Sequence, residues 1–274
     1  MESEAAAGRH GSLCVKILFL GDIVGRPGRS ALKRNLDDIR RTHCIDLVLA
    51  NGENASGGIG LSSKSARELF SAGVDFLTTG NHIWKFKDMY AFLNNEERIV
   101  RPANYPAGAP GKGWSVFAQE GLPEIAVINV LGRTYMQALD CPFVALERIL
   151  EEIPESVRIR IVDFHAEATS EKQALAWMLD GRVSAVLGTH THVQTNDARV
   201  LPQGTAYMTD LGMCGPQNSC LGMDPEPIIK RFVGGLPQRF RVADGPIILQ
   251  GAIFDLDDSS GAAKSISAWS MHIG

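Results

Sequence analysis

The strongest constraint on the fold is an alternation along the chain. Short apolar runs, each closed by a small polar cluster, are separated by segments of helical period. Val15-Lys16-Ile17-Leu18-Phe19-Leu20 reads as a strand broken at Gly21, and Leu32, Leu36 and Ile39 mark a helix over Arg29 to Arg41. Ile45 to Ala50 is a second buried strand, after which Ser62 or Ser63 caps a helix from Lys64 to Ser71 that stops at Gly73. Val74 to Thr79 is a third strand, followed by a helix from about Lys85 to Asn94. Crossovers of this length suit parallel neighbours and predict a β-α-β-α-β-α unit.

The middle changes character. A Gly- and Pro-rich stretch from Gly108 to Gly113 leads into Trp114 to Phe117 and Ile125 to Val130, which read as a hairpin with its loop at Glu120 to Pro123. A helix over Pro142 to Ile153, a strand over Arg158 to Phe164, a helix over Glu171 to Leu179 and a strand over Val183 to Leu187 resume the alternation. The last third is mostly β, at Thr205 to Thr209, Ile247 to Asp255 and Ser265 to His272. No repeat or compositional shift divides the chain. The expected architecture is α/β, with two packed mixed sheets and helices outside. Residues 1–12 are expected to form a disordered tail and residues 13–274 a single domain, in which 211–244 could act as a cap or lid.

With 274 residues, 45% hydrophobic and 21% charged, the chain can bury a full core. A net charge of -4 leaves no broad electrostatic footprint for nucleic acid, so stable DNA binding is not expected. The five cysteines, Cys14, Cys44, Cys141, Cys214 and Cys220, are scattered and form no Cys-x-x-Cys pair, which favours a reducing compartment. Val15 to Leu20 is too short for a signal sequence or a membrane span. A soluble, cytoplasmic protein is the expectation. The apolar C-terminal strands leave room for a homo-oligomer.

The polar clusters are Gly21-Asp22, Asn51-Gly52-Glu53-Asn54, Gly80-Asn81-His82, Asp163-Phe164-His165 and Gly188-Thr189-His190-Thr191-His192. Singly, most are turn signals. The turn Gly25-Arg26-Pro27-Gly28 after Asp22 is no phosphate-binding loop, because Ile23 occupies the position where a P-loop or a dinucleotide fingerprint needs glycine. Four of the seven histidines, His82, His165, His190 and His192, fall at predicted strand ends. His190 and His192, one residue apart, would point to the same side of a strand. Strand ends can converge on one point, and mixed oxygen and imidazole donors without cysteine suit two hard or borderline cations held over a phosphate. Arg26, Lys64, Arg133, Tyr105 and Trp84 read as solvated or packing residues.

In order, Leu20-Gly21-Asp22-Ile23-Val24-Gly25, Asn51-Gly52-Glu53-Asn54, Gly80-Asn81-His82, Asp163-Phe164-His165-Ala166-Glu167 and Gly188-Thr189-His190-Thr191-His192 resemble the calcineurin-like metallophosphoesterase superfamily, in its bacterial YmdB-like branch. The resemblance runs from about Lys16 to the C-terminus. Val24 stands where the wider superfamily usually has histidine, and Glu53 where it usually has a bridging aspartate. Both departures are typical of the branch. The resemblance implies a four-layer αββα sandwich. It implies one metal on Asp22, Glu53, Asn54 and His192 and a second on Glu53, Asn81, His165 and His190, with Glu53 bridging. His82 looks like the general acid rather than a ligand.

Mixed Asp, Glu, Asn and His donors without cysteine suit iron, manganese or zinc, and the resemblance implies iron, with manganese as a substitute. A bridging hydroxide would attack a small phosphodiester, foremost a 2′,3′-cyclic nucleotide, and the histidine acid would protonate the leaving oxygen. Two rival readings use the same residues. One is a phosphomonoesterase or 5′-nucleotidase with a different pocket. The other is a regulator that binds nucleotide or RNA and keeps its metal for structure or sensing.

Overall fold

A computed structural model describes residues 14–274, so the expected tail over residues 1–12 lies outside the described residues. The first strand, β1 (Cys14–Ile23), shows why the chain makes layers. Its alternate residues Val15, Ile17 and Phe19 enter one apolar cluster, while Leu18 and Leu20 enter another. A strand can divide its side chains this way only when both faces of its sheet are covered. On the chain then run α1 (Gly25–His43), β2 (Leu47–Asn51), α2 (Ser63–Ser71), β3 (Phe76–Thr78), a single 3-10 turn at Ile83–Lys85 and α3 (Asp88–Asn95). The second half contributes β4 (Trp114–Phe117), β5 (Ile125–Leu131), α4 (Pro142–Glu152), β6 (Ile159–His165), α5 (Thr169–Leu179) and β7 (Ala185–Thr189). The remainder is β8 (Arg199–Val200), β9 (Ala206–Met208), β10 (Met213–Pro216), α6 (Pro225–Gly234), β11 (Ile247–Asp257) and β12 (Ala263–Ile273).

These strands form two six-stranded mixed sheets, ordered β12-β11-β10-β1-β2-β3 and β4-β5-β6-β7-β9-β8. Within the first, β1 is parallel to β2 and β10, and β11 runs antiparallel to β1 and β10. In the second, β5, β6, β7 and β9 are parallel, with antiparallel strands β4 and β8 at the edges. Phe19, Leu49, Phe76, Val127, Ile161 and Leu187 fill the space between the sheets. Leu32, Leu36, Leu69 and Leu93 of α1, α2 and α3 cover the outside of the first sheet. Leu146, Ile149, Leu175 and Leu179 of α4 and α5 cover the second. The expected αββα sandwich is the observed architecture.

Several details differ from the sequence reading. Helix α1 begins at Gly25 rather than Arg29, so the presumed turn is its first coil, where Pro27 costs no helical hydrogen bond. The helix expected from Lys85 is divided into the 3-10 turn and α3. Within 211–244, β10 is buried between β1 and β11, so the segment opens as a core strand. Only beyond it does the chain leave the sheet, and α6 buries no residue. Among the described residues no helix is long and apolar enough to cross a membrane.

Phe19 is fully buried between the sheets. Phe19→Ala is expected to lower unfolding stability by about 3–5 kcal/mol, the usual cost of emptying an aromatic core position. A urea titration should show a lower midpoint at unchanged slope; an unchanged midpoint would contradict the assigned core.

Candidate metal centre

The site residues come from the C-terminal ends of parallel strands in both sheets. Asp22 lies near the end of β1, and Glu53 and Asn54 follow β2. Asn81 and His82 follow β3, His165 ends β6, and His190 and His192 follow β7. Parallel strands in register deliver their ends to one edge of a sheet, so residues distant in sequence meet there. The approach is close at Gly80, where a Cβ would collide with the Glu53 carboxylate and the His165 ring. Likewise Gly21 runs against the Gly212 carbonyl, which accepts the Asp22 N–H at 3.1 Å.

The two histidines after β7 do not meet by strand alternation. The strand ends at Thr189, and His190 and His192 have φ of +103° and +63°. These left-handed conformations turn both rings inward and are costly for a side-chain-bearing residue, as strained backbone at functional sites often is. The His190 N–H donates to Asp22 Oδ2 at 3.0 Å, tying the turn to the first sheet.

All three of these histidines share a geometry. His165 Nδ1 lies 2.9 Å from Thr189 Oγ1, whose hydroxyl donates to Asp163 at 2.7 Å. His192 Nδ1 faces the Leu221 carbonyl at 3.0 Å, and His190 Nε2 faces Glu167 at 3.2 Å. Each outer nitrogen is thereby offered an acceptor, and each inner nitrogen faces the cluster. His165 Nε2 sits 3.1 Å from Asn81 Oδ1, 3.3 Å from Glu53 Oε1 and 3.0 Å from His190 Nδ1. His192 Nε2 sits 3.7 Å from Asp22 Oδ1. Imidazole nitrogens and carboxylate oxygens thus crowd around one point.

The residues fit a cation. Ligand atoms of Glu53, His165 and His190 all lie within 4.8 Å of one another. Asp22 Oδ1 is buried without a hydrogen-bond partner, a state that costs about 1–3 kcal/mol unless something else meets it. Asn54 is the exception in detail. Its Nδ2 rather than its Oδ1 faces Glu53 and His192, at 3.0 and 3.1 Å. Ligation through oxygen requires the amide to turn over, exchanging the Oδ1 contact with His82.

The electrostatics match this crowding. Burial raises the Asp22 pKa, against the lowering influence of His192 and His165. Burial pushes Glu53 the same way, but His165 and His82 outweigh it and hold its carboxyl well below the usual range. Burial likewise disfavours the imidazolium of His165, yet Glu53, Asp22 and Asp163 carry its pKa up to about 9. His190 is depressed to about 3 by burial and by the neighbouring His165. Asp163 is raised to about 6 by burial.

His82 stands apart from the inner cluster, with 37% of its side chain exposed. Its Nδ1 contacts Glu53 Oε1 at 3.0 Å and Asn54 Oδ1 at 2.9 Å. It borders a cavity of about 290 Å³ with Glu53, His190 and His192, closed on the apolar side by Ile59, Leu221, Met223 and Phe240.

The supporting residues were harder to read from sequence. Asn51 holds Glu53 by accepting its N–H at 3.0 Å and ties it to the second sheet by donating to Asp163 at 3.0 Å. Buried Lys172 donates to Asp210 at 2.8 Å and to the Thr189 carbonyl at 2.9 Å. Asp210 also accepts from Thr191 and Gly212. Asp210 follows the apolar run of β9, the same strand-end signal that marked the other clusters. Nothing in sequence distinguishes Lys172 from a solvated helical lysine.

Comparisons with known proteins give the family. The family model described as "YmdB-like protein" matches residues 18–269. The chain belongs to the YmdB-like family. That family lies in the metallophosphoesterase superfamily. A 2′,3′-cyclic-nucleotide 2′-phosphodiesterase of Bacillus subtilis is 48% identical over 92% of this chain and 95% of its own length. A Mycoplasma genitalium relative, named a putative phosphatase/phosphodiesterase, is 39% identical over 88% of each chain. Among solved structures, a hypothetical protein from Thermus thermophilus superposes with TM-score 0.88 at 46% identity, covering 95% of this chain and all (100%) of its own. A phosphatase from Mycoplasma pneumoniae gives TM-score 0.89 at 36% identity, covering 95% of this chain and 94% of its own.

With its pKa raised to about 9, His165 of the cation-free chain carries a proton at pH 7 and would have to lose it to serve as a ligand. Manganese binding is therefore expected to release about one proton per chain near pH 7 and to tighten as pH rises toward 9. Calorimetry in buffers of different ionisation enthalpy measures this; binding without proton release would contradict the assignment.

Proposed function

We propose that this chain is a dinuclear metal-dependent phosphodiesterase acting on small phosphodiesters, with 2′,3′-cyclic nucleotides as the leading substrate. The observation that carries this reading is the set of inward-facing donors beside His82 at the mouth of one cavity. Asp22, Glu53, Asn54 and His192 would hold one cation and Glu53, Asn81, His165 and His190 the other, with Glu53 shared. When bound, such a pair lowers the pKa of water and neutralises phosphate charge. Iron, manganese and zinc all suit this donor set, with iron favoured by the family resemblance.

The chain's own residues do the rest. Thr189 and Asp163 fix the His165 ring, and Leu221 fixes His192, so ligand positions are set before substrate arrives. His82 directs Nδ1 at Glu53 and Asn54, which leaves Nε2 for the substrate. As water bonds to phosphorus and one P–O ester bond breaks, His82 Nε2 is placed to give its proton to the departing oxygen. Ile59, Leu221, Met223 and Phe240 supply an apolar wall for a nucleoside. In this reading the chain beyond β10 acts as the cap, because Leu221, Met223 and Phe240 all come from it.

The preference for diesters over a phosphomonoesterase is supported by the name of the Bacillus subtilis relative, a 2′,3′-cyclic-nucleotide 2′-phosphodiesterase. The regulator reading lacks a use for His82. A cytoplasmic setting is supported by Cys44, Cys141, Cys214 and Cys220, which are thiols rather than disulfides. A homo-oligomer is supported by β12, an eleven-residue strand at the sheet edge, since exposed edges favour pairing.

In manganese or iron(II), 2′,3′-cyclic AMP and bis-p-nitrophenyl phosphate are expected to be hydrolysed faster than p-nitrophenyl phosphate. The reverse order would favour the phosphomonoesterase. His82→Ala should keep its metal content and lose about 10²–10⁴-fold in turnover on the cyclic nucleotide. The loss should be smaller on the activated diester, whose leaving group needs little protonation. Full turnover on the cyclic nucleotide would remove His82 from that role.

A further inference from the structure

On a chain of net charge -4, one surface is strongly basic. Two grooves of about 850 and 780 Å³ share Arg26, Arg29 and Ser30 and so adjoin along α1. Arg34 borders the first, and Lys33, Lys64 and Arg67 border the second. Arg26, Ser30, Lys33 and Arg34 are spaced to share a face of α1, and Lys64 and Arg67 do so on α2. Two carboxylates line the grooves. Glu68 is taken by Arg29 at 2.7 Å, and Asp244 lies on the wall of the first groove. Arg26, Lys33, Arg34 and Lys64 are exposed, and none is in an ion pair among the described residues. Apart from the paired Arg29, five cations border the two grooves, a local concentration of positive charge that favours an anion shared between them.

The first groove also lies close to the metal centre. Asn54 borders the catalytic cavity, and Ser56 and Gly57 border the first groove. Three residues span at most about 11 Å, so the groove begins within that distance along the chain from a candidate ligand. On the other side, Met223 of the cavity wall pairs with Val242 of the groove wall. Arg26 follows Asp22 by four residues, a reach of about 14 Å at most.

We infer that the grooves along α1 and α2 bind the phosphate backbone of a single-stranded oligoribonucleotide whose terminal 2′,3′-cyclic phosphate enters the metal centre. This rests on the phosphodiesterase reading and deepens it: the preferred substrate is an RNA end rather than a free mononucleotide. Hydrolysis adds water across one P–O bond of the terminal ring and leaves a phosphomonoester and a hydroxyl on the same ribose. The upstream phosphates stay intact and lie against Arg26, Lys33, Arg34 and Lys64. A nearly neutral chain can do this because the required field is local, close to the site, and screened elsewhere within about 10 Å.

The experiment compares kcat/KM for a short oligoribonucleotide carrying a 2′,3′-cyclic phosphate end with that for 2′,3′-cyclic AMP, using the metal-loaded full chain. It also measures binding of the 3′-phosphorylated oligoribonucleotide by fluorescence anisotropy across salt concentrations. The wild type is expected to prefer the oligonucleotide about tenfold or more. Its affinity should fall with salt at a log–log slope of about -0.7 per phosphate contacted. The K33Q/K64Q double variant should reduce the preference and flatten the slope by about 1.4. A wild-type preference near one with salt-insensitive binding overturns the inference and leaves mononucleotide hydrolysis standing. An unchanged slope in the double variant overturns it too. If 2′,3′-cyclic AMP and the oligonucleotide are both left uncut, the proposed activity fails, while the salt slope still decides whether the groove binds RNA.

Discussion

Everything around the centre follows from the cost of holding Asp22, Glu53 and His165 together out of water. All three are fully buried, and neither an isolated buried carboxylate nor an isolated imidazolium is tolerable in an apolar interior. The buried carboxylates push His165 up to about 9 against the effect of burial, while burial and the neighbouring His165 bring His190 down to about 3. The molecule meets this cost with a dense net of partners. Thr189 and Asp163 serve His165, the His190 backbone serves Asp22, and His82 with Asn54 serves Glu53. What these partners leave unmet, above all Asp22 Oδ1, marks the place for cations.

That net is possible only at the seam of the two sheets. Sheet one supplies Asp22, Glu53 and Asn81 from the ends of β1, β2 and β3, and sheet two supplies His165, His190 and His192 from β6 and β7. Asn51 joins the halves through its contact with Asp163 at 3.0 Å. On the far side, the Lys172–Asp210 pair locks the turn that carries the two histidines. Fold and site are therefore one problem. The intersheet core around Phe19 and Leu187 fixes the spacing of the candidate ligands.

Much of this was legible in the sequence because burial leaves a simple trace. Parallel strands covered on both faces read as continuous apolar runs, and the polar residue that ends each run is where the sheet meets solvent or a site. Order and strand-end position therefore located the eight candidate residues, which the structure gathers around one point. The failures have equally physical causes. The conformations of His190 and His192 depend on φ values that no side-chain pattern announces. Strand β10 is only four residues, Met213–Pro216, with a glycine and a proline in it, so nothing local marks it as central. Lys172 becomes a core residue through a partner 38 positions away. The basic surface was hidden by averaging, since Arg26 and Lys64 look solvated until α1 and α2 are placed side by side.

The central claim is that Glu53 is shared by two cations, and metal content measures it directly. Purified wild-type chain, reloaded after chelation and analysed by mass spectrometry for metals, should hold two ions per chain. Glu53→Ala should lose both, whereas Asn81→Ala should weaken only one. Far-ultraviolet circular dichroism should confirm that each variant is folded. A folded Glu53→Ala chain that still holds two ions would contradict the account.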